Sequence, residues 1–145
     1  MTIENEPFIL APELQQDCFF IADLALSQLL LYNNVDFPWL ILVPRVNHVT
    51  EIFELTDELQ DQLIEETSQV SRLLKQLYAC DKINVAAIGN QVPQLHVHII
   101  ARFKTDSAWP SPVWGLPSRA YNNKAACEII QKINAELSHY LPAIN

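Results

Sequence analysis

The sequence contains very little glycine, only Gly89 and Gly115 among 145 residues. Neither G-x-G-x-x-G nor G-x-x-x-x-G-K-[ST] can be written from two glycines this far apart. The phosphate-binding loops that depend on repeated glycine are therefore excluded. If this protein binds phosphate, other groups must hold it.

Basic residues are also scarce, with 9 Lys and Arg against 17 Asp and Glu and a formal net charge of -8. Affinity for a nucleic-acid backbone comes mainly from clustered Lys and Arg, so no nucleic-acid partner is expected. Half of the residues are hydrophobic, which is enough to build a core. The length predicts that residues 1–145 form a single domain.

The three cysteines, Cys18, Cys80 and Cys127, lie far apart and form no C-x-x-C pair. This spacing predicts reduced thiols in a cytoplasmic protein. The N-terminal MTIENEPFIL carries acids where a secretory signal would carry basic residues. The longest apolar runs, such as 39–44, fall far short of the roughly 20 residues of a membrane-spanning helix, so no membrane partner is expected.

Short apolar runs bounded by turn residues predict the strands of this domain. Three of them lie in the first third of the chain and would form an antiparallel meander. Two more follow a long polar segment, and the last alternates polar and apolar residues in its first half. The predicted strands are 18–24, 27–32, 39–43, 83–88 and 94–103.

Two segments have the periodicity of amphipathic helices. From Thr56 to about Cys80, leucine and valine recur at spacings of three, four and seven, and Thr56 suits the N-cap position. A second helix is predicted at 121–140, with core positions at Ile129, Ile130, Ile133, Leu137 and Leu141. Together these elements predict an α+β domain: an antiparallel sheet of about five strands, one long helix and a C-terminal helix.

His96 and His98 are the most informative pair in the sequence. Two residues apart on a strand, their side chains point to the same face, and Gln94 joins them there. A single histidine on a half-buried strand is usually structural. Two adjacent imidazoles must share hydrogen-bond partners and disfavour each other's protonation, so the pair favours a functional site.

Two kinds of chemistry fit a histidine pair on a strand. One is a metal site, in which His48 would supply the third ligand. The other is nucleophilic catalysis on phosphorus, in which a neutral imidazole attacks a phosphoryl group and its neighbours stabilise the developing charge. The spacing alone does not distinguish them.

The residues around the pair resemble a known family. Residues 91–102, QVPQLHVHIIAR, are similar to the histidine triad (HIT) signature His-φ-His-φ-His-φ-φ, where φ is apolar. Residues 40–49, LILVPRVNHV, are similar to the family's strand ending in Pro-Lys-x-His-Ile. The resemblance extends over about 18–110 and implies a HIT-like fold, nucleotide hydrolase or transferase activity and, as in many members, a homodimer. Residues 109–115, WPSPVWG, resemble the bacterial branch described as diadenosine tetraphosphate hydrolase-like.

The sequence departs from this signature at the first triad position, which is Gln94. The resemblance then implies that His96 is the nucleophile and that His98 contacts the α-phosphate. In the family, the main-chain carbonyl of the first triad residue orients the nucleophile, and a glutamine retains that carbonyl. Trp39 stands where many members have a fourth histidine. These departures bear on rate and leaving-group preference more than on nucleotide binding.

Several other positions are assigned roles by the same resemblance. Asn90 and Gln91 precede the motif and would hydrogen-bond the leaving phosphate, with Gln94 also among the substrate-binding residues. Asn33 lies where many members bind the ribose hydroxyls. The base pocket would be lined by Leu31 and Phe20.

Three further residues near the motif are expected to be structural. Trp109 and Trp114 would pack within the fold or contact a second copy of the chain. Arg102 shares the face of His96 and His98 by strand parity and is expected to form a surface salt bridge.

The resemblance implies a reaction that needs no metal or cofactor. His96 would attack the α-phosphorus of a nucleoside or dinucleoside polyphosphate or a related nucleotide conjugate, and water would hydrolyse the nucleotidyl-histidine. Three alternatives stay open: a metal-dependent hydrolase using His48, His96 and His98, a nucleotide-binding protein with weak or lost turnover, and a purely structural or partner-binding domain.

Overall fold

The computed structural model describes residues 6–140. Five strands form its sheet: β1 (Cys18–Asp23), β2 (Ser27–Tyr32), β3 (Trp39–Pro44), β4 (Lys82–Ala86) and β5 (Val97–Arg102). Their order across the sheet is β1-β2-β3-β5-β4, and every neighbouring pair is antiparallel. The predicted α+β class with an antiparallel sheet is confirmed.

Three α-helices accompany the sheet: α1 (Pro12–Asp17), α2 (Asp57–Tyr78) and α3 (Asn123–Tyr140). The Thr56 hydroxyl accepts a hydrogen bond from the main-chain N–H of Leu59, so the predicted N-cap of the long helix is confirmed. Within residues 6–140, no helix is both long and apolar enough to cross a membrane. Leu141, predicted as a core position, lies outside the described residues.

The two faces of the sheet bury different residues, because side chains alternate along each strand. One face packs against α2 and α3. Its core includes strand residues Leu29, Leu31, Leu40, Leu42, Val97 and Ile99, with helix residues Leu63, Val70, Leu73, Leu74, Ile133 and Leu137. The other face has a smaller core of Leu14, Leu30, Phe37, Trp39, Ile41, Val43, Ile100 and Val113. This second face, without a long helix, leaves room for a cavity.

The sheet differs from the prediction where long-range contacts replace strand pairing. β5 begins at Val97 rather than residue 94, because the N–H of Leu95 bonds to the carbonyl of Val49 in a loop. β4 ends at Ala86, two residues before the predicted end. The short helix α1 was not predicted, although Pro at its first position is a typical start signal.

Candidate active site

A cavity of about 490 Å³ opens on the face of the sheet that α2 and α3 do not cover. It is lined from five directions: by α1, the end of β2, the start of β3, the loop before the histidine motif, and the loop after β5. His96 and His98 both line it. The other lining residues are Leu14, Asp17, Tyr32, Trp39, Ile41, Ile88, Gly89, Asn90, Gln91, Val92, Trp114 and Gly115.

The ring of His96 is held by the main chain. Its Nδ1 lies 2.7 Å from the carbonyl oxygen of Gln94, which can only accept a hydrogen bond. Nδ1 therefore carries the proton, and the lone pair of a neutral ring is on Nε2. No other hydrogen bond of this ring is formed with residues 6–140, so Nε2 is available to a ligand in the cavity.

The ring of His98 is held by a side chain. The indole Nε1 of Trp39 donates to His98 Nδ1 over 2.9 Å. An indole N–H cannot accept, so Nδ1 of His98 is unprotonated and its proton lies on Nε2. Burial, together with the neighbouring His96, lowers the pKa of His98 to about 4. His98 is thus a neutral ring that offers an N–H to the cavity.

The two imidazoles form an edge-to-face pair, with ring centroids 4.8 Å apart. Trp114 closes the other side of His98, with centroids 5.3 Å apart, and also packs on Trp39. Trp114 therefore packs within the fold as predicted, but it does so in the cavity wall. An apolar wall of this kind excludes water from one side of the site and strengthens electrostatic interactions within it.

The loop that carries Trp114 is anchored by Arg102. Its guanidinium forms an ion pair with Asp106 at 2.8 Å and donates to the Asn84 side chain and to the carbonyl of Ser111. Both members of the pair are buried, with side-chain exposures of 2% and 5%. The predicted surface salt bridge is therefore wrong, because the loop after β5 folds back over the strand and covers it.

The side chain of Gln94 is not among those that line the cavity, so it is not placed for the predicted role in substrate binding. Its Oε1 accepts from the N–H of Ala11, and its Nε2 donates to the carbonyl of Ile9, both over 2.8 Å. The amide thus fastens the N-terminal segment that leads into α1. Gln94 contributes to the site through its carbonyl, on His96.

Asn90 and Gln91 line the cavity beside the two histidines. They follow Gly89, whose φ of +68° lets the chain turn after β4. Both side chains are exposed, so their amides can reach a bound ligand. Their predicted contact with a phosphate stays a prediction.

Asn33, Leu31 and Phe20 are not brought to the cavity. The side-chain oxygen of Asn33 accepts from the N–H of Tyr121 and so ties down the segment before α3. Leu31 is fully buried on the opposite face of the sheet, under the helices. Phe20 is 55% exposed. The sequence placed Leu31 and Phe20 on the right strands and Asn33 just after β2, but strand alternation and chain packing direct these side chains elsewhere.

His48 is separated from the histidine pair. It lies in the turn after β3 with a φ of 63°, and its exposed ring contacts Glu6 at 3.3 Å. Within residues 6–140, no group of three or more His, Cys, Asp or Glu side chains is placed to hold a metal ion. The arrangement does not support the predicted alternative of a metal site on His48, His96 and His98.

Several cavity residues were missed by the sequence reasoning, among them Leu14 and Asp17 on α1, and Tyr32 at the end of β2. Burial, with a contribution from Asp17, raises the pKa of Tyr32, so its hydroxyl is a neutral donor. The start signal at Pro12 could have revealed α1. Nothing in the local sequence shows that α1 returns to the histidine motif.

Known proteins agree with this geometry. The HIT domain family profile matches residues 13–105. The chain belongs to the HIT family.

Solved structures of HIT proteins are similar over nearly the whole chain. A histidine triad protein from Bradyrhizobium japonicum is 44% identical, with a TM-score of 0.87 over 90% of this chain and 98% of that one. One from Marinobacter aquaeolei VT8 is 40% identical, with a TM-score of 0.90 over 93% and 99%. One from Sinorhizobium meliloti 1021 is 40% identical, with a TM-score of 0.86 over 88% and 96%. No curated protein matches the chain.

Membership of the HIT family gives the polar face of β5 its context. The HIT profile extends over Gln94, His96 and His98. His96 and His98 line the cavity, while the side chain of Gln94 fastens the N-terminal segment.

Proposed function

We propose that this HIT protein binds small nucleotides and acts on their α-phosphate as a hydrolase or transferase, with His96 as the nucleophile. The observation that carries the proposal is the hydrogen bond from Nδ1 of His96 to the Gln94 carbonyl. It leaves a lone pair on Nε2, which faces a cavity of about 490 Å³. That volume lies within the range of small-molecule sites.

The reaction would proceed in two displacements. Nε2 of His96 forms a bond to the α-phosphorus, and the bond from phosphorus to the leaving oxygen breaks, so that the leaving group takes the electron pair. Water then attacks the phosphorus, the N–P bond breaks, and the proton of the water passes to solvent. The products are a nucleoside monophosphate and the displaced group, and His96 is restored.

The neighbours of His96 would stabilise the charge on the phosphoryl oxygens. His98 offers the N–H of a neutral imidazole from the same face, and Asn90 and Gln91 offer amides from the loop opposite. Fixed donors in a partly dehydrated site need little reorganisation during the reaction. No Lys or Arg is among the described residues that line the cavity.

The same groups favour nucleoside and dinucleoside polyphosphates, the substrates of the diadenosine tetraphosphate hydrolase-like branch. The side chain of Gln94 has no acidic proton and is already bonded to Ile9 and Ala11. With a pKa of about 4, His98 is neutral at neutral pH and can donate a hydrogen bond but cannot act as a general acid. A leaving phosphate departs readily without a general acid, whereas an amine does not.

The test is to incubate the protein with adenosine and guanosine polyphosphates and search for a nucleotidyl adduct by mass spectrometry. An adduct on His96 is expected, together with nucleoside monophosphate release. His96→Ala should lose both activities and keep its melting temperature, with the exposed His139→Ala as the control. Full hydrolysis by His96→Ala would overturn the mechanism.

A second candidate is a nucleotide-binding protein with weak or lost turnover. It is favoured by the loss of the first triad histidine and by the occupied side chain of Gln94. This candidate predicts saturable binding of adenosine monophosphate with no adduct and no product. The mass-spectrometric experiment separates the two.

The homodimer implied by the family resemblance stays part of this proposal, as does a cytoplasmic location. β4 is an edge of the described sheet, bonded only to β5, and exposes Val85 at 50% and the following Ile88 at 42%. An edge strand with exposed apolar side chains can pair with a second copy. Light scattering is expected to give the dimer mass, and Val85→Lys should reduce it to the monomer mass.

A further inference from the structure

Trp39 uses its one polar atom on a residue of the site. The side chain is 4% exposed, and its Nε1–H points to Nδ1 of His98 rather than to a main-chain carbonyl. A buried indole needs a hydrogen-bond partner, and many carbonyl groups in a sheet could serve. Bonding to an imidazole is a choice with a chemical consequence, because the indole can only donate. Protonation of His98 at Nδ1 would break this bond.

The surroundings of His98 contain few other charged or titratable groups. His96, in the segment just before β5, faces it with ring centroids 4.8 Å apart. Asp17 on α1 and Tyr32 on β2 line the same cavity, while the loop at 88–92 contributes no titratable side chain. Trp114 covers its remaining side. The indole of Trp39 is the group that bonds directly to Nδ1.

We propose that Trp39 is a positioning residue that keeps His98 uncharged, so that positive charge can develop on His96. The inference rests on the proposed function. When Nε2 of His96 bonds to phosphorus while Nδ1 keeps its proton, the ring becomes a cation. A second cationic ring at 4.8 Å would oppose that step, because like charges interact strongly in a partly dehydrated site.

Neutral His98 still serves the reaction through its Nε2–H. The hydrogen bond from Trp39 determines which ring nitrogen donates, and the packing of Trp39 and Trp114 determines where the ring lies. A purely structural role for Trp39 would fill the same space without influencing the protonation of His98. The two roles therefore differ in a measurable property of one imidazole.

The first measurement uses the unaltered protein without substrate. Two-bond ¹H–¹⁵N correlation spectra report which ring nitrogen of each of the four histidines is protonated. His48→Asn and His139→Asn assign the two rings outside the cavity, and His96→Asn distinguishes the signals of His98 from those of His96. We expect His98 to be neutral, with its proton on Nε2, from neutral pH down to about pH 5. A proton on Nδ1 of His98 in that range would overturn the proposal.

The second measurement compares Trp39→Phe with Trp114→Phe. Both tryptophans pack on the His98 ring, but only Trp39 donates to it. Trp39→Phe is expected to raise the pKa of His98 by about one pH unit, which corresponds to a typical net hydrogen bond. Trp114→Phe is expected to leave the protonated nitrogen of His98 unchanged. Equal shifts of the His98 pKa in both variants, or no shift in Trp39→Phe, would contradict the positioning role of Trp39.

Turnover supplies a third readout. Trp39→Phe should lower kcat with little change in KM, and the loss should deepen as the pH falls through the new pKa of His98. If the protein forms no adduct with nucleotides, the proposed function fails while the spectra still decide the role of Trp39. If Trp39→Phe does not fold, the spectra of the unaltered protein decide it.

Discussion

Two polar clusters lie on the same face of β5 and of the segment just before it, and they differ in almost every physical respect. His98, and His96 just before the strand, lie at one end with a ring nitrogen of each facing the cavity. Arg102 lies at the other end, about 13 Å from His98 along the strand, and is charged and covered. Its guanidinium is bonded to Asp106, Asn84 and a main-chain carbonyl.

The difference teaches how to distinguish a polar cluster that is satisfied within the fold from one that is open to a ligand. Buried charges are tolerated when partners and hydrogen bonds satisfy them, and Arg102 with Asp106 meets that condition. Each histidine ring is held by a hydrogen bond at one nitrogen. Its other nitrogen forms no hydrogen bond with residues 6–140. Half-satisfied groups facing a cavity are available to a ligand.

The largest expected effect is on the buried cluster of Arg102 and Asp106. Asp106→Asn leaves the guanidinium of Arg102 buried without its counter-charge, which should lower the free energy of unfolding by about 4 kcal/mol. Urea denaturation at neutral pH measures it. Arg119→Met, which breaks the exposed ion pair with Asp36, is the matched control and should change stability very little. If both variants lose the same free energy of unfolding, burial does not make the Arg102–Asp106 pair more important for stability than the exposed pair.

Acid should remove the same contribution. Burial alone would raise the pKa of Asp106, but Arg102 and the main-chain N–H groups of Phe103, Ala108 and Trp109 lower it to about 2. A carboxyl whose pKa is lowered on folding stabilises the fold above its unfolded value near 3.8, and loses that effect as the pH falls towards 2. The stability gap between the unaltered protein and Asp106→Asn should therefore narrow between about pH 4 and pH 2.

A smaller effect, on rate rather than stability, is expected at the pair His96 and His98. His98→Asn keeps an acceptor within reach of Trp39 but removes the Nε2–H from the cavity. Loss of one such donor costs about a hundredfold in kcat, or about 3 kcal/mol. Steady-state hydrolysis of an adenosine polyphosphate measures it, and His139→Asn is the control. A higher KM with an unchanged kcat would contradict a role of His98 in the reaction.

The smallest effect is expected at Gln94, whose side chain bonds to the N-terminal segment and whose carbonyl bonds to His96. Gln94→Ala removes two hydrogen bonds to the N-terminal segment but keeps the carbonyl that holds His96. Unfolding should become easier by about 1.5 kcal/mol, while kcat stays within about tenfold. Asn47→Ala removes a similar pair of bonds to the same segment, both of them exposed to solvent, and should cost less. Complete loss of turnover in Gln94→Ala would show that the side chain itself takes part.

The elements with strong periodicity were predictable from sequence. β2 was predicted at its observed bounds, and the long helix within about two residues of them. Weak local signals caused the errors. α1 has only 6 residues, and β5 starts late because Leu95 bonds to the loop at Val49.

The candidate site divides in the same way. The shared face of His96 and His98 follows from their spacing, and Asn90 and Gln91 lie beside them because they are close in sequence. Asn33 could not be placed, since its partner is the main chain of Tyr121, 88 residues away.

By itself, the sequence determined the α+β class, the pairing of two histidines on one face and the retained carbonyl before them. These depend on spacing between near neighbours, which strand geometry converts directly into position. The tertiary structure decided which nitrogen of each ring is bonded and what the side chain of Gln94 contacts. Trp39 and His98 are separated by 59 residues, and Gln94 and Ala11 by 83. Bonds over such separations form only when packing brings distant segments together, so no local pattern announces them.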